Sequence, residues 1–369
     1  MYRKVETLYP NLILDALSTV RYPGNGKNIV ELGMVADDIR IDGSKVSFSL
    51  VFPKNPDPFM KSLIKSAEAA IHTRISNEVQ VTVTPTFITA APERKPALPG
   101  VKNVIGVSSG KGGVGKSTVA SNLAVALAME GYKVGLLDAD IFGPSVPKMF
   151  GLEDEPLYMH DVDGRQLIIP AERYGVKVLS IGFLVDKNSP VLWRGSMASN
   201  ALRQLIEEAD WGNLDFFLID MPPGTSDIHL TLVQTLAITG VVVVSTPQEV
   251  ALADARKGIA MFTSDKVNVP VLGLVENMAW FTPETHPDER YYIFGREGAV
   301  RLAREMGVKI LAQIPIVGSI CDGGDGGAPV ALENNATGHA FVHLAHEVID
   351  AVQQRNDSLP PTVKVNVKK

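Results

Sequence analysis

Cysteine is almost missing from this sequence: Cys321 is the one such residue among 369. A single thiol excludes an internal disulfide framework, a Cys-x-x-Cys pair and any all-cysteine metal site built within one chain. Long apolar runs are missing too. The longest lies near Gly240-Val241-Val242-Val243-Val244, far short of the roughly 20 residues a membrane helix needs. The opening stretch, MYRKVETLYPNLILDAL, holds no apolar core of signal-peptide length. A cytoplasmic protein without membrane attachment is the expectation. No strong excess of one charge is present either, since 35 Lys+Arg face 41 Asp+Glu for a net charge of −6. The excess of acid is local. Residues 1–100 carry 12 basic and 10 acidic side chains, which leaves 23 and 31 for the remainder. A broad nucleic-acid footprint is therefore not expected. What is abundant is apolar material, 45% of the residues, enough to bury a core in two or three domains.

The pattern changes along the chain. Residues 1–90 read as a small α+β unit: a helix near Asn11–Thr19, a strand over Lys45–Phe52, a helix over Pro58–Ile75 and a strand over Glu78–Thr84. Residues 91–100 are proline-rich and read as a linker. Residues 101–355 alternate helices with short strands, at Val104–Ser108, Lys133–Asp138, Val176–Ile181, Leu214–Asp220, Val241–Thr246, Val271–Val275 and Ile310–Ile314. Unbroken Val/Ile/Leu runs are what strands buried on both faces look like. The fold class expected is α/β, a doubly wound, mostly parallel sheet preceded by the small α+β domain. Residues 356–369 read as a flexible tail.

The densest motif is Gly110-Lys111-Gly112-Gly113-Val114-Gly115-Lys116-Ser117-Thr118, set between a strand and an expected helix over Val119–Met129. Gly110, Gly115, Lys116 and Ser117 satisfy G-x-x-x-x-G-K-[ST], the phosphate-binding loop of nucleotide hydrolases. Its glycines let backbone N–H groups curl around phosphate oxygens, and the helix N-terminus adds positive potential. Lys116 is expected at the β- and γ-phosphates, the Ser117 hydroxyl on Mg²⁺, and Thr118 at the α-phosphate. Two acidic stations close strands: Asp138-Ala139-Asp140, and Asp220 before Met221-Pro222-Pro223-Gly224. Strand C-termini face the ligand crevice in such sheets. Asp220 is expected in the Mg²⁺ shell through water, Asp140 at the attacking water, and Asp138 behind them. Asn277 is positioned for the adenine edge, with Pro315 flanking the base. The Asn-Lys-x-Asp of guanine-specific loops is missing, so ATP is the expected nucleotide.

Lys111 makes the loop KGGVGKS, which resembles the deviant loop of the MinD/ParA/nitrogenase-iron-protein class. That resemblance implies a nucleotide-sandwich homodimer in which Lys111 reaches the partner's phosphates as a third catalytic group beside Lys116 and Asp140. GKGGVGKSTVASNLA, LLDADIFGPSVPKMFG, VLWRG, LIDMPPGTSDIHLTL, GLVENMAWF and the later GGDGGAPV together resemble the Mrp/ApbC ATPases, bacterial iron–sulfur cluster carriers, over Val101–Ala351. The N-terminal unit is similar to the small iron–sulfur assembly domain that often precedes this ATPase. The resemblance implies a Mg-dependent ATPase, slow and dimer-coupled, with iron–sulfur apoproteins or assembly factors as clients and no nucleic-acid or membrane partner. It also implies a [4Fe–4S] cluster bridging the dimer through a Cys-x-x-Cys after the ENM segment. Here that stretch reads Phe281-Thr282-Pro283-Glu284-Thr285-His286-Pro287-Asp288. The Cys-Pro of the N-terminal domain is missing as well, from Phe52-Pro53-Lys54-Asn55-Pro56-Asp57-Pro58. His286, with Glu284 or Asp288, and Cys321 are the remaining candidate ligands. A cluster-free ATPase chaperone or regulator is the alternative function, and a MinD-like positional switch a third.

Two further features are weighed against plain surface roles. His339, His343 and His346 share one face of the last helix, opposite Phe341, Leu344, Val348 and Val352, so a solvated face is expected rather than a metal site. Trp193-Arg194-Gly195 fits either a partner-contacting switch or a surface ion pair.

Overall fold

The computed structural model describes residues 8–23, 26–36, 38–52, 57–87, 97–162, 164–184, 195–283, 285–286 and 288–365. Trp193, Arg194, Glu284 and the Pro53–Pro56 stretch lie outside them. The chain divides into two compact units, Met1–Arg94 and Lys95–Lys369.

The first unit comprises α1 (Pro10–Leu17), β1 (Arg40–Asp42), β2 (Lys45–Phe52), α2 (Met60–Arg74) and β3 (Gln80–Phe87). Strand β2 is central, antiparallel to β1 and parallel to β3. Its alternation is the physical cause of the layer: Val46, Phe48, Leu50 and Phe52 are buried, and α1 and α2 cover them with Ile13, Leu17, Leu63, Ala67 and Ile71. Each such large side chain contributes roughly 1.5–3 kcal/mol on burial. Pro85 is tolerated in β3 because β3 pairs only with β2.

The second unit runs β4 (Val101–Ser109), α3 (Lys116–Met129), β5 (Val134–Asp138), α4 (Val146–Met149), β6 (Tyr158–Val162), β7 (Arg165–Ile169), β8 (Ala171–Arg173), β9 (Val176–Ser180) and α5 (Gly195–Glu207). It continues through β10 (Leu214–Asp220), α6 (Asp227–Thr235), β11 (Gly240–Ser245), α7 (Glu249–Thr263), β12 (Val271–Glu276), α8 (Gly298–Met306), β13 (Ile310–Gln313), α9 (Gly318–Gly326) and α10 (Ala336–Ser358). The sheet order is β13-β12-β11-β4-β10-β5-β9-β8, parallel throughout except for β8 against β9. Neighbouring residues of one strand enter opposite cores. Phe216 and Leu218 join the layer under α3 and α10, while Phe217 and Ile219 join the layer under α5, α6, α7 and α8. Two-sided burial explains the unbroken apolar runs, and it places the C-terminal ends of β4, β5 and β10 side by side.

Three segments differ from expectation. The antiparallel hairpin β6–β7 interrupts the α/β alternation, and its Tyr158 and Met159 are more than half exposed. The segment holding Cys321, where the sequence marks no helix, is the helix α9. The expected tail is ordered as far as the description goes: α10 continues to Ser358, and the Val365 N–H donates to the Val233 carbonyl at 3.0 Å. The reason is apolar, since Val365 packs into the α5–α8 side of the core. No helix among the described residues is long and apolar enough to cross a membrane.

Candidate functional site

The loop between β4 and α3 is shaped by glycines that have no substitute. A Cβ on Gly110 would fall 2.2 Å from the Asp254 backbone. Gly115 has φ +81°, and a Cβ there would meet the Asn277 amide. The Ser109 hydroxyl closes the turn by donating to the Lys111 carbonyl at 2.9 Å. Helix α3 then begins at Lys116 with an αL residue before it. The loop's N–H groups and the helix N-terminus form an anion cradle.

Lys116 stands at the centre, 6% exposed. Its ammonium donates to Asp220 Oδ1 at 2.5 Å and to Ser117 Oγ at 3.2 Å, with Asp140 Oδ2 at 3.6 Å. The structure thus brings together Lys116, Ser117, Asp140 and Asp220 from three strand ends. Asp220 is fully buried, and burial raises its carboxyl above the usual range while Lys116 pulls the other way. Its Oδ2 has no hydrogen-bond partner among the described residues. An orphaned buried carboxylate oxygen next to a serine hydroxyl is a fit for a hard cation such as Mg²⁺, whose ligands are oxygens and waters.

Asp138 serves the loop rather than the ligand. Its Oδ1 accepts the Asp140 N–H at 3.1 Å, and its Oδ2 accepts the Val146 N–H at 3.2 Å and the Ser180 hydroxyl at 2.9 Å. Burial, and then the Asp220 charge, push this carboxyl up to about 8. Asn277, expected at the base edge, lies against the loop: its amide nitrogen donates to the Val114 carbonyl at 2.8 Å. Pro315 follows β13 on the adjacent strand, where Ala279 N–H meets the Ile314 carbonyl at 2.9 Å. Lys111 is half-buried and has no ion pair among the described residues.

The candidate cluster ligands do not converge. Among the described residues no group of three His, Cys, Asp or Glu is placed to hold a metal. Cys321 is exposed on α9, and the Asp325 charge raises its thiol further, so it is not a ready thiolate. His286 is exposed and bonds Thr285 at 2.9 Å. The stretch around it is closed by the Phe281–Tyr291 bridge and by Arg290 over the Trp280 ring at 4.3 Å. Asp57, where a Cys-Pro is expected, has both oxygens in use: Tyr22 hydroxyl donates to Oδ2 at 2.9 Å and Phe59 N–H to Oδ1 at 2.8 Å. The histidines of α10 are exposed; His346 pairs with Glu130 at 2.9 Å and His339 with Asn334 at 2.9 Å.

Two groups escape the sequence reading. Ser180 ends β9 and holds Asp138; its signal is a polar residue closing an apolar strand. His229 sits 1% exposed in the first turn of α6, just after the Met221–Ser226 segment, and burial pushes its imidazole down to about 4, with the Lys116 charge acting in the same direction.

Known proteins are similar to this chain in sequence and fold. The chain matches the family described as NUBPL iron-transfer P-loop NTPase over residues 100–351, and that described as iron-sulfur cluster assembly protein over residues 11–84. An iron-sulfur cluster carrier protein of Synechocystis is 40% identical over 350 residues, 94% of this chain and 98% of its own. A nucleotide-binding protein from Archaeoglobus fulgidus, solved with ADP, is 41% identical with a TM-score of 0.55, covering 63% of this chain and 88% of its own. The septum site-determining protein MinD of Pyrococcus horikoshii, solved with Mg-ADP, is 25% identical with a TM-score of 0.51, covering 69% and 98%.

Proposed function

Because the chain belongs to the NUBPL iron-transfer P-loop NTPases, we propose that it is a Mg-dependent ATPase whose cycle drives iron–sulfur cluster assembly or transfer to apoproteins. The observation that carries the nucleotide half is the meeting of Lys116, Ser117, Asp140 and the unpaired Asp220 Oδ2 at the mouth of the glycine loop.

In this reading the N–H groups of Gly112–Thr118 hold the phosphates, and Lys116 exchanges Asp220 for β- and γ-phosphate oxygens. Ser117 Oγ and, through water, Asp220 hold Mg²⁺, which would neutralise phosphate charge. Asp140 orients the attacking water and takes its proton. The water oxygen bonds the γ-phosphorus as the bond to the bridging oxygen breaks, leaving ADP and phosphate. Asn277 retains Oδ1 and one amide hydrogen for the adenine edge beyond its bond to Val114, and Pro315 flanks the base. Lys111, without an ion pair of its own, reaches the partner's phosphates across a homodimer.

The test of the nucleotide half is steady-state ATP turnover with and without Mg²⁺, in wild type and Lys116→Ala. Metal-independent turnover, or turnover that survives the substitution, refutes it.

A second reading rests on the ligand inventory. With one exposed, protonated thiol and no clustered ligands among the described residues, this chain acts as an ATP-driven chaperone or regulator of assembly and carries no cluster itself. Anaerobic reconstitution with iron and sulfide separates the two. A visible charge-transfer band with stoichiometric iron supports direct carriage, and neither signal supports the second reading.

A further inference from the structure

His229 has no part in the assignments above, yet its surroundings are specific. Ser226 N–H lies 3.2 Å from His229 Nδ1. A backbone N–H can only donate, so Nδ1 presents its lone pair and the imidazole proton sits on Nε2. That Nε2–H is buried and has no partner among the described residues. A buried, unpaired donor is unfavourable, a deficit that a second arrangement of the protein can relieve.

The other end of the same segment carries the complementary deficit. Asp220 Oδ2 is a buried acceptor without a partner among the described residues. A starved acceptor and a starved donor thus bracket Met221–Ile228. Between them, Gly224 has φ +76°, and its N–H donates to the Ser109 carbonyl at 2.9 Å, which ties the segment to the strand leading into the phosphate loop. The His229 ring lies 6.1 Å from that of Phe262 in α7.

We propose that His229 is a positioning residue for hydrolysis: Nδ1 fixes Ser226 at the start of α6, and Nε2–H anchors the Met221–Ser226 segment when γ-phosphate is bound, setting Asp220 and the attacking water in register. The proposal rests on the ATPase reading above.

The two ring nitrogens can be tested separately in the full chain. An asparagine places its amide where Nδ1 stands and keeps the acceptor for Ser226, whereas a glutamine reaches the Nε2 position and keeps the donor. ATP turnover, equilibrium binding of a fluorescent ADP analogue and thermal unfolding are measured for wild type, His229→Asn and His229→Gln. The expected result is a kcat loss of roughly tenfold or more in His229→Asn at unchanged ADP affinity and KM, with His229→Gln within about threefold of wild type. Equal turnover in the two variants, both normal or both lost, overturns the proposal, as does the opposite order, which marks a helix cap alone. A wild-type chain that binds ADP but hydrolyses no ATP overturns the ATPase reading itself.

Discussion

Replacing Lys116 by methionine tests the electrostatics of the site without nucleotide or metal. The side chain keeps its length and loses its charge, leaving Asp220 and its neighbours without a cation. At 2.5 Å the gross attraction is about 7 kcal/mol at an effective dielectric of 20, largely offset by desolvation of both groups. Removing one partner of a buried pair nonetheless costs about 3–5 kcal/mol. A carboxylate can limit that loss by taking a proton. From an ordinary value near 4, protonation at pH 7.5 costs about 5 kcal/mol, and each pH unit downward cuts this by about 1.4 kcal/mol. The folded variant then binds one proton more than its unfolded chain, so its stability falls as pH rises. Asp138, pushed up to about 8 by burial and then by the Asp220 charge, contributes a trend of the same sign to both proteins, so the difference between them reads the Asp138–Asp220 pair. All three tryptophans, Trp193, Trp211 and Trp280, lie in the second unit, so fluorescence-monitored urea unfolding reads that unit alone. The gap between wild type and Lys116→Met should narrow by about 1.4 kcal/mol per unit from pH 8 to pH 6. A gap that stays constant over this range refutes the account.

Lys111→Ala should keep ATP binding and lose hydrolysis or ATP-dependent dimerisation; unchanged turnover and sedimentation would remove the trans-lysine role. Gly110→Ala should abolish nucleotide binding in calorimetry, since its Cβ would lie 2.2 Å from the Asp254 backbone, and near-normal affinity would show that the loop relaxes. Cys321→Ser should leave both turnover and thermal stability unchanged, because the thiol is exposed with only a long contact to Asp325 at 3.8 Å. For His229, the folded value of about 4 lies below the ordinary 6.5. Its contribution is therefore full above pH 6.5 and lost as pH falls towards 4, so His229→Gln should be less acid-sensitive than wild type in urea melts, and parallel pH curves would contradict this.

The sheet was legible because burial on both faces writes itself as unbroken apolar runs, and the phosphate loop because its parts are consecutive in the chain. Asp140 and Asp220 were legible as acids closing such runs. Other features depend on contacts that local pattern does not encode. Asn277 supports Val114 across 163 positions, which no spacing rule reveals. The β6–β7 hairpin is exposed on both faces, so neither period marks it. Helix α9, GSICDGGDG, has the composition of a turn. It is held from outside, by Tyr174 hydroxyl on the Gly327 carbonyl at 2.8 Å and by close approach of Gly327 to Gly151.

The two halves of the proposed function differ in how firmly this sequence is built for them. The groups assigned to the nucleotide chemistry meet in one place and several are unfavourable as they stand: Asp140 and Asp220 share one ammonium, and among the described residues Asp220 Oδ2 and His229 Nε2 are buried unpaired. In the proposed cycle a ligand that supplies phosphate oxygens and a cation would relieve the deficit around Lys116 and Asp220. The cargo positions show the opposite logic. Asp57 has become a structural acid whose two oxygens order Tyr22 and Phe59, and the stretch after Asn277 is stitched by backbone pairing and Arg290–Trp280 stacking. At these positions the described side chains already have protein partners. The second reading above then requires that a client or an assembly partner supply the thiolates. Reconstitution of the chain alone and with an iron–sulfur apoprotein distinguishes these cases, because only the mixture should then take up a cluster in an ATP-dependent way.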